Sequence, residues 1–167
     1  MAVRILAVPD APEYRELRLR ALREFPEAFT SSHEEESVKP LAWYEERLAG
    51  PASTFWGAFE EGRLCGVVGL EREGRVKNRH KAMVIGMYVA PQQAGRGLGQ
   101  ALLGALVASA RREGLELLVL TVTVGNGVAQ RLYERAGFVS FGIEPRAIKV
   151  AGRPYAKNHM YLELAPS

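Results

Sequence analysis

Between residues 82 and 113 the chain passes from one apolar run, through a glycine-rich turn, into a segment of helical periodicity. The run Ala82-Met83-Val84-Ile85-Gly86-Met87-Tyr88-Val89 is too continuously apolar for a half-exposed strand. It predicts a strand covered on both faces, at the centre of a sheet. Gly86 inside it predicts a bulge or a close approach by another backbone or a ligand. After the turn, Leu98, Ala101, Leu102, Ala105, Leu106, Ser109 and Ala110 fit the spacing of one helix face. A helix from Leu98 to about Glu113 follows, and Gly114 supplies its stop. A buried strand feeding directly into an amphipathic helix commits the chain to a fold that layers helices on a sheet.

The remaining elements fall around this unit. Residues 3–8 alternate as a short first strand, and Asp10 and Pro12 suit the start of a helix carrying Tyr14, Leu17, Ala21 and Leu22, with Arg15, Arg18 and Arg20 elsewhere around it. Pro26 ends that helix. Residues 26–39 are polar, include Glu34-Glu35-Glu36, and read as a loop with room for a short helix. A second helix follows Pro40, with Leu41, Tyr44 and Leu48 on one side, and Gly50-Pro51 stops it. Thr54 to Phe59 and Leu64 to Leu70, separated by the turn Glu61-Gly62, predict an antiparallel hairpin. Leu117 to Val124 is a second buried strand, and Asn126 opens a further helix running through Ala136. Phe138 to Ile143 and His159 to Leu164 are closing strands, joined through Pro145 to Pro154. The order predicts a single mixed α/β or α+β domain over residues 1–167.

Composition narrows the function classes. Formal net charge is only +3 across 167 residues, which mildly favours an anionic ligand and does not argue for nucleic acid. The most basic stretch, residues 72–81, contains Gly74 and Asn78 and lacks interleaved aromatics, so it reads as a solvated hairpin loop. No apolar run approaches the ~20 residues of a membrane-spanning helix, and the N-terminus meets Pro9 and Asp10 too soon for a secretory signal. Cys65 is the sole cysteine, which excludes an internal disulfide and fits a reducing cytoplasm; its apolar neighbours predict a buried structural thiol. His33, His80 and His159 are scattered and lack zinc-ligand spacing, so no metal is expected.

Chemistry concentrates in two segments. In Gln93-Ala94-Gly95-Arg96-Gly97-Leu98-Gly99 the glycines permit positive φ and let a phosphate approach backbone amides, while the free N–H groups and dipole of the following helix favour an anion. Arg96 adds charge. No Gly-Lys-Ser/Thr closes the turn, so it is not a P-loop. Nor is it the dinucleotide fingerprint, because Gln100 stands where the third glycine is required. The second segment is Asn126-Gly127-Val128-Ala129-Gln130-Arg131-Leu132-Tyr133-Glu134-Arg135-Ala136-Gly137-Phe138. Asn126 suits an N-cap there.

Together the two segments resemble the signature of the GNAT superfamily of N-acetyltransferases. That family pairs a Q/R-x-x-G-x-G/A turn with a downstream N-x-x-A-x-x-x-Y-x-x-x-G-F block, matched here by Asn126, Ala129, Tyr133, Gly137 and Phe138. With Gly97 and Gly99 as the motif glycines, the leading Q/R position is Ala94, a departure from the pattern; Gln92 leads in the alternative register ending at Gly97.

The resemblance implies a mostly antiparallel sheet of about seven strands with helices on both faces and splayed central strands. It implies direct acetyl transfer from acetyl-CoA to an amine of a small molecule, amino acid or peptide, within a ternary complex; a non-catalytic acyl-CoA-binding sensor is the alternative. On the same resemblance, Met87, Tyr88 and Val89 meet the pantetheine arm, and an amide near Tyr88 stabilises the oxyanion. Ala94, Gly95, Arg96, Gly97, Leu98, Gly99 and Gln100 hold the pyrophosphate. Asn126 and Ala129 position the cofactor arm, and Tyr133 is the general acid toward the departing thiolate. Many relatives carry a glutamate on the strand before the turn, where this chain has none. Glu35, Glu71 and His159 are then candidates for the base. Acceptor identity and oligomeric state, a homodimer included, stay open.

Overall fold

The computed structural model describes residues 1–164. Its strands are β1 (Ala2–Ile5), β2 (Ser53–Glu60), β3 (Arg63–Arg72), β4 (Lys81–Val89), β5 (Leu117–Thr123), β6 (Val139–Val150) and β7 (Arg153–Glu163). Its helices are α1 (Ala11–Glu24), α2 (His33–Ser37), α3 (Leu41–Ala49), α4 (Leu98–Arg112) and α5 (Gly127–Arg135). The strands form one sheet in the order β1-β2-β3-β4-β5-β7-β6. Every neighbouring pair is antiparallel except β4 and β5. A parallel pair needs a long crossover, which α4 provides.

The expected mixed fold is therefore present, with the sheet covered on both faces. On one face α4 buries Leu98, Leu102, Leu103, Leu106 and Ala110. On the other, α1 and α3 bring Tyr14 and Tyr44 over the sheet, the Tyr14 ring lying 5.3 Å from that of Phe55. Contact here is close because Gly69 presents no side chain: a Cβ built on it would lie 2.5 Å from Phe55 Cε1 and 3.0 Å from Ile85 Cγ1. Phe55 is fully buried and pinned by Tyr14, so it has nowhere to retreat. Gly69→Ala is expected to cost about 1–3 kcal/mol by overpacking, read as a lower urea midpoint at unchanged m.

Two predicted boundaries differ from the structure. The first strand ends at Ile5 because Val8–Asp10 already forms a 3₁₀ turn. Asp10 serves that turn instead of capping α1: its carboxylate accepts from Ala7 N at 2.8 Å and from Arg4 at 2.8 and 2.9 Å. The larger difference lies at residues 145–154, expected as a connection. Here β6 continues to Val150 and β7 begins at Arg153, making one long hairpin whose turn residues Ala151 and Gly152 have φ of 50° and 81°. Pro145 is tolerated because β6 is an edge strand and its register shifts between Glu144 and Ile148, where Arg146 takes φ 49°.

The polar 26–39 segment contains α2, fixed by a capping box: Ser32 Oγ accepts from Glu35 N at 3.1 Å and Glu35 Oε1 accepts from Ser32 N at 3.3 Å. No helix among the described residues is long and apolar enough to cross a membrane.

Candidate active site

Strands β4 and β5 pair only at Lys81↔Leu117, Ala82↔Leu118 and Met83↔Val119, and part thereafter. The cause lies at Gly86, whose φ is +62°. Between the pairs Ile85↔Gly69 and Tyr88↔Val67, β4 places Gly86 and Met87 opposite the single residue Val68. Such a bulge bends its strand and increases the local twist, while β5 stays paired with β7 as far as Thr123↔Lys157. The gap is a cleft of about 360 Å³. Ala90 N donates to Cys65 O at 2.8 Å, so the backbone of alternate residues turns toward β3. The free edge facing β5 consequently belongs to Met87 and Val89. The Tyr88 ring points elsewhere and packs 5.9 Å from Phe25.

At the C-terminal end of β4, Gly95 and Gly97 take φ of 80° and 77° with nothing within 4 Å of where a Cβ would stand. Gly97 is the left-handed residue that opens α4. Ala101 N returns to Gly97 O at 3.0 Å, which leaves the first-turn amides of Leu98, Gly99 and Gln100 without partners inside the helix. Gly99 has a separate reason to be glycine: its Cβ would lie 3.2 Å from Leu132 Cδ2, so it lets α5 approach α4. Ala94 is extended and exposed, and Arg96 is exposed. Gln92 is engaged elsewhere, its Oε1 accepting from Arg20 Nη2 at 2.7 Å.

One wall of the cleft comes from α5. Asn126 Oδ1 accepts from Ala129 N at 3.3 Å, the predicted N-cap, and Asn126, Ala129 and Tyr133 line the cleft together with Met87. Tyr133 is 6% exposed and packs edge-on against Phe138 at 5.9 Å. Burial pushes its hydroxyl well above the ordinary tyrosine range, so it stays protonated.

The face bearing α1–α3 supplies the other wall, with Arg18, Arg47, Glu71, Thr121 and Lys157 at the cleft. Arg18 is almost fully buried and holds Glu36 in a bidentate pair, Nε to Oε1 and Nη2 to Oε2, both 2.9 Å. Burial works against the Arg18 charge, yet the Glu36 hydrogen bonds together with the charge interactions of Tyr14, Glu36 and Tyr44 outweigh it, and the guanidinium pKa is raised. Burial likewise opposes the Glu36 charge, and Arg18 still brings its carboxyl below the usual range. Lys157 donates to Thr30 Oγ1 at 2.7 Å, and burial lowers its pKa against the pull of Glu144.

Sequence reasoning missed Arg18, Arg47 and Lys157. Arg18, placed by its sequence elsewhere around the helix, in fact shares the buried face of Tyr14, Leu17, Ala21 and Leu22; its i+4 spacing from Tyr14 was the visible signal. Of the candidate bases, Glu71 lines the cleft. Glu35 is engaged in the α2 cap, and His159 pairs with Glu144 at 2.8 Å on the β6–β7 hairpin. The acidic run proves structural, since Glu36 turns inward to Arg18. Of the basic stretch 72–81, Arg72 ends β3, Lys81 begins β4 and residues 73–80 join them; Arg72 Nε donates to Glu113 at 3.0 Å. Cys65 is buried with its thiol pKa raised by desolvation, and its Sγ donates to Ala58 O at 3.3 Å.

Known proteins resemble this chain in sequence and in fold. The L-methionine sulfoximine/L-methionine sulfone acetyltransferase of Pseudomonas aeruginosa is 37% identical over 81 residues, 48% of this chain and 47% of that protein. The match thus takes in about half the length of that curated relative. The mycothiol acetyltransferase of Clavibacter michiganensis is 31% identical over 142 residues, 83% of this chain and 42% of that protein. Among solved structures, yncA from Salmonella typhimurium, with its cofactor acetyl-CoA, superposes with a TM-score of 0.83 at 25% identity, covering 100% of this chain and 95% of that one. The ribosomal-protein-alanine N-acetyltransferase of Brucella melitensis shares the fold, with a TM-score of 0.85 at 22% identity, covering 98% of this chain and all of that one (100%). The model of the acetyltransferase (GNAT) family matches residues 16–138, which contain the splayed strands, the glycine turn and the Tyr133 helix, and the chain belongs to that family.

Proposed function

We propose that the protein transfers an acetyl group from acetyl-CoA directly to a primary amine, within one ternary complex. The observation that carries this reading is the opening between β4 and β5, with a protonated, buried Tyr133 on one wall and Glu71 at the other. The fit to the cofactor rests on this chain's own geometry. Gly95 and Gly97 leave open space where any side chain would stand, and unpaired helix N–H groups adjoin them.

Bound acetyl-CoA supplies a thioester carbonyl and a thiolate leaving group. The Leu98, Gly99 and Gln100 amides receive the pyrophosphate, with Gly95 and Gly97 keeping the approach clear and Arg96 adding charge. Ala94 contributes backbone only. The free β4 edge at Met87 and Val89 pairs with the pantetheine arm, and Asn126 and Ala129 border its path. Charge developing on the carbonyl oxygen is met by the Met87 amide, which narrows the expectation of a donor near Tyr88. The amine nitrogen bonds to the acetyl carbon as the carbon–sulfur bond breaks. Its proton passes to Glu71 through water, and Tyr133 delivers one to sulfur.

The test combines thiol release from acetyl-CoA across an amine panel with a Gly97→Asp variant. That substitution places a side chain at φ 77° and a negative charge beside the proposed phosphate site. The expected result is loss of CoA affinity by at least about 10²-fold, given the charge and the strain together. Unaltered CoA binding by a folded Gly97→Asp protein would overturn the turn assignment. Tight CoA binding with no thiol release for any amine would make the protein a sensor.

A further inference from the structure

We infer, building on the acetyltransferase reading above, that the acceptor is a small amino acid whose free carboxylate is held by Arg18 and Arg47. A buried arginine uses the fixed fork of its guanidinium, and here Arg18 Nε and Nη2 are taken by Glu36. Nη1 is turned to the cleft, where a Cβ built on Gly86 would stand 3.6 Å from it. Gly86 is the bulge that opens the sheet, so one charged edge of a nearly buried arginine lies next to the point where the strands part.

Arg47 lies beside it, close enough for its charge to act on Glu36. Its position is fixed from three sides: Nε donates to Tyr14 Oη at 3.2 Å, and the guanidinium carbon sits 5.0 Å and 5.1 Å from the Trp43 and Phe55 ring centres. Among the described residues no carboxylate pairs with Arg47 or with Lys157, whose Nζ is held by Thr30.

The same cleft therefore gathers three cationic side chains, only one of them neutralised by a partner, against the single unpaired carboxylate of Glu71. Of the two without a carboxylate partner among the described residues, Lys157 is buried and Arg47 half-buried, and cations so placed favour a ligand that supplies negative charge. A cationic acceptor such as a diamine would add to the positive charge. A zwitterion offsets it, with its carboxylate on the arginine forks and its amine on the Glu71 side. Nearby cations also lower the amine's pKa, which raises the fraction able to attack.

The experiment compares each of the twenty amino acids with its carboxamide and its decarboxylated amine, by thiol release from acetyl-CoA. For the preferred side chain, kcat/KM should favour the free acid by about 10- to 100-fold, the span of one charged hydrogen bond. Amides, amines or peptide N-termini used equally well would overturn the inference while leaving acetyl transfer standing. Arg47→Gln should lose about tenfold more on the acid than on its amide; equal losses would remove the carboxylate role. Titration calorimetry on the CoA-loaded protein gives a readout that needs no turnover. An amino acid that binds while its amide does not supports the clamp even if transfer fails, and binding of neither refutes it.

Discussion

Tyr133→Phe is expected to lower kcat by about 10²- to 10⁴-fold, the usual contribution of a positioned general acid, while CoA affinity stays close to wild type. The change removes one oxygen from a side chain that is 6% exposed and keeps the ring that packs edge-on against Phe138. Fold and cleft shape should survive, so the kinetic loss reports the hydroxyl. Burial raises the Tyr133 pKa above the ordinary tyrosine value. The acid form is therefore the populated one throughout neutral and mildly alkaline pH, and any alkaline fall in kcat below about pH 10 belongs to another group.

A leaving-group series sharpens the test. Thioesters of more acidic thiols need less protonation on departure, so the gap between variant and wild type should narrow as thiol pKa falls. A kcat unchanged in the variant would remove the acid role. A gap that stays constant across the series would mean that Tyr133 shapes the cleft without moving a proton.

The elements of the proposed cofactor half were legible in the sequence because they are built from contiguous stretches. The Asn126 cap, the Tyr133 face and the Gly137 stop follow one another along α5, and the glycine turn directly joins β4 to α4. Local chemistry sets each of these: positive φ, cap hydrogen bonds, and a helix start. Even there, separating Gly95 and Gly97, which keep space open, from Gly99, which admits Leu132, required the packing of α4 on α5.

The proposed acceptor half was not legible. Arg18, Glu36, Arg47 and Lys157 come from α1, α2, α3 and β7, and only tertiary packing brings them together. Glu36 stood in an acidic run within a segment that reads as a polar loop, until one turn of α2 directs it inward. The hairpin at residues 150–153 was hidden for a different reason: Ala151 takes a left-handed φ that usually marks asparagine or glycine.

Removing the partner of Arg18 should reveal how far this acceptor wall also holds the fold together. Glu36→Ala is expected to destabilise the protein by about 3–5 kcal/mol, the cost of breaking a buried pair from one side. The exposed pair Arg20–Glu24, spaced i,i+4 on α1, is the control, and Glu24→Ala should cost only about 0.3–0.5 kcal/mol. The difference arises because the Arg18 and Glu36 side chains are only 10% and 6% exposed. Without Glu36, the buried Nε and Nη2 edge of the guanidinium loses its partner while the group stays charged. Its pKa is too high for it to shed the proton instead.

The pH dependence carries a definite sign. The folded Glu36 pKa lies below its ordinary value, so the stability it contributes is present above the unfolded-state pKa and is lost as pH falls through the folded one. Urea midpoints of the wild type should accordingly drop more steeply than those of Glu36→Ala below about pH 4. A loss no greater than that of Glu24→Ala would show that Arg18 reaches solvent or another acceptor. Replacing both members, as Arg18→Met with Glu36→Leu, should recover most of the stability, since apolar groups of similar volume can substitute for a buried pair. That double variant separates the two roles of the arginine. With stability restored and the cofactor wall untouched, a remaining rise in KM for a carboxylate-bearing acceptor would be attributable to the missing Nη1 edge at Gly86.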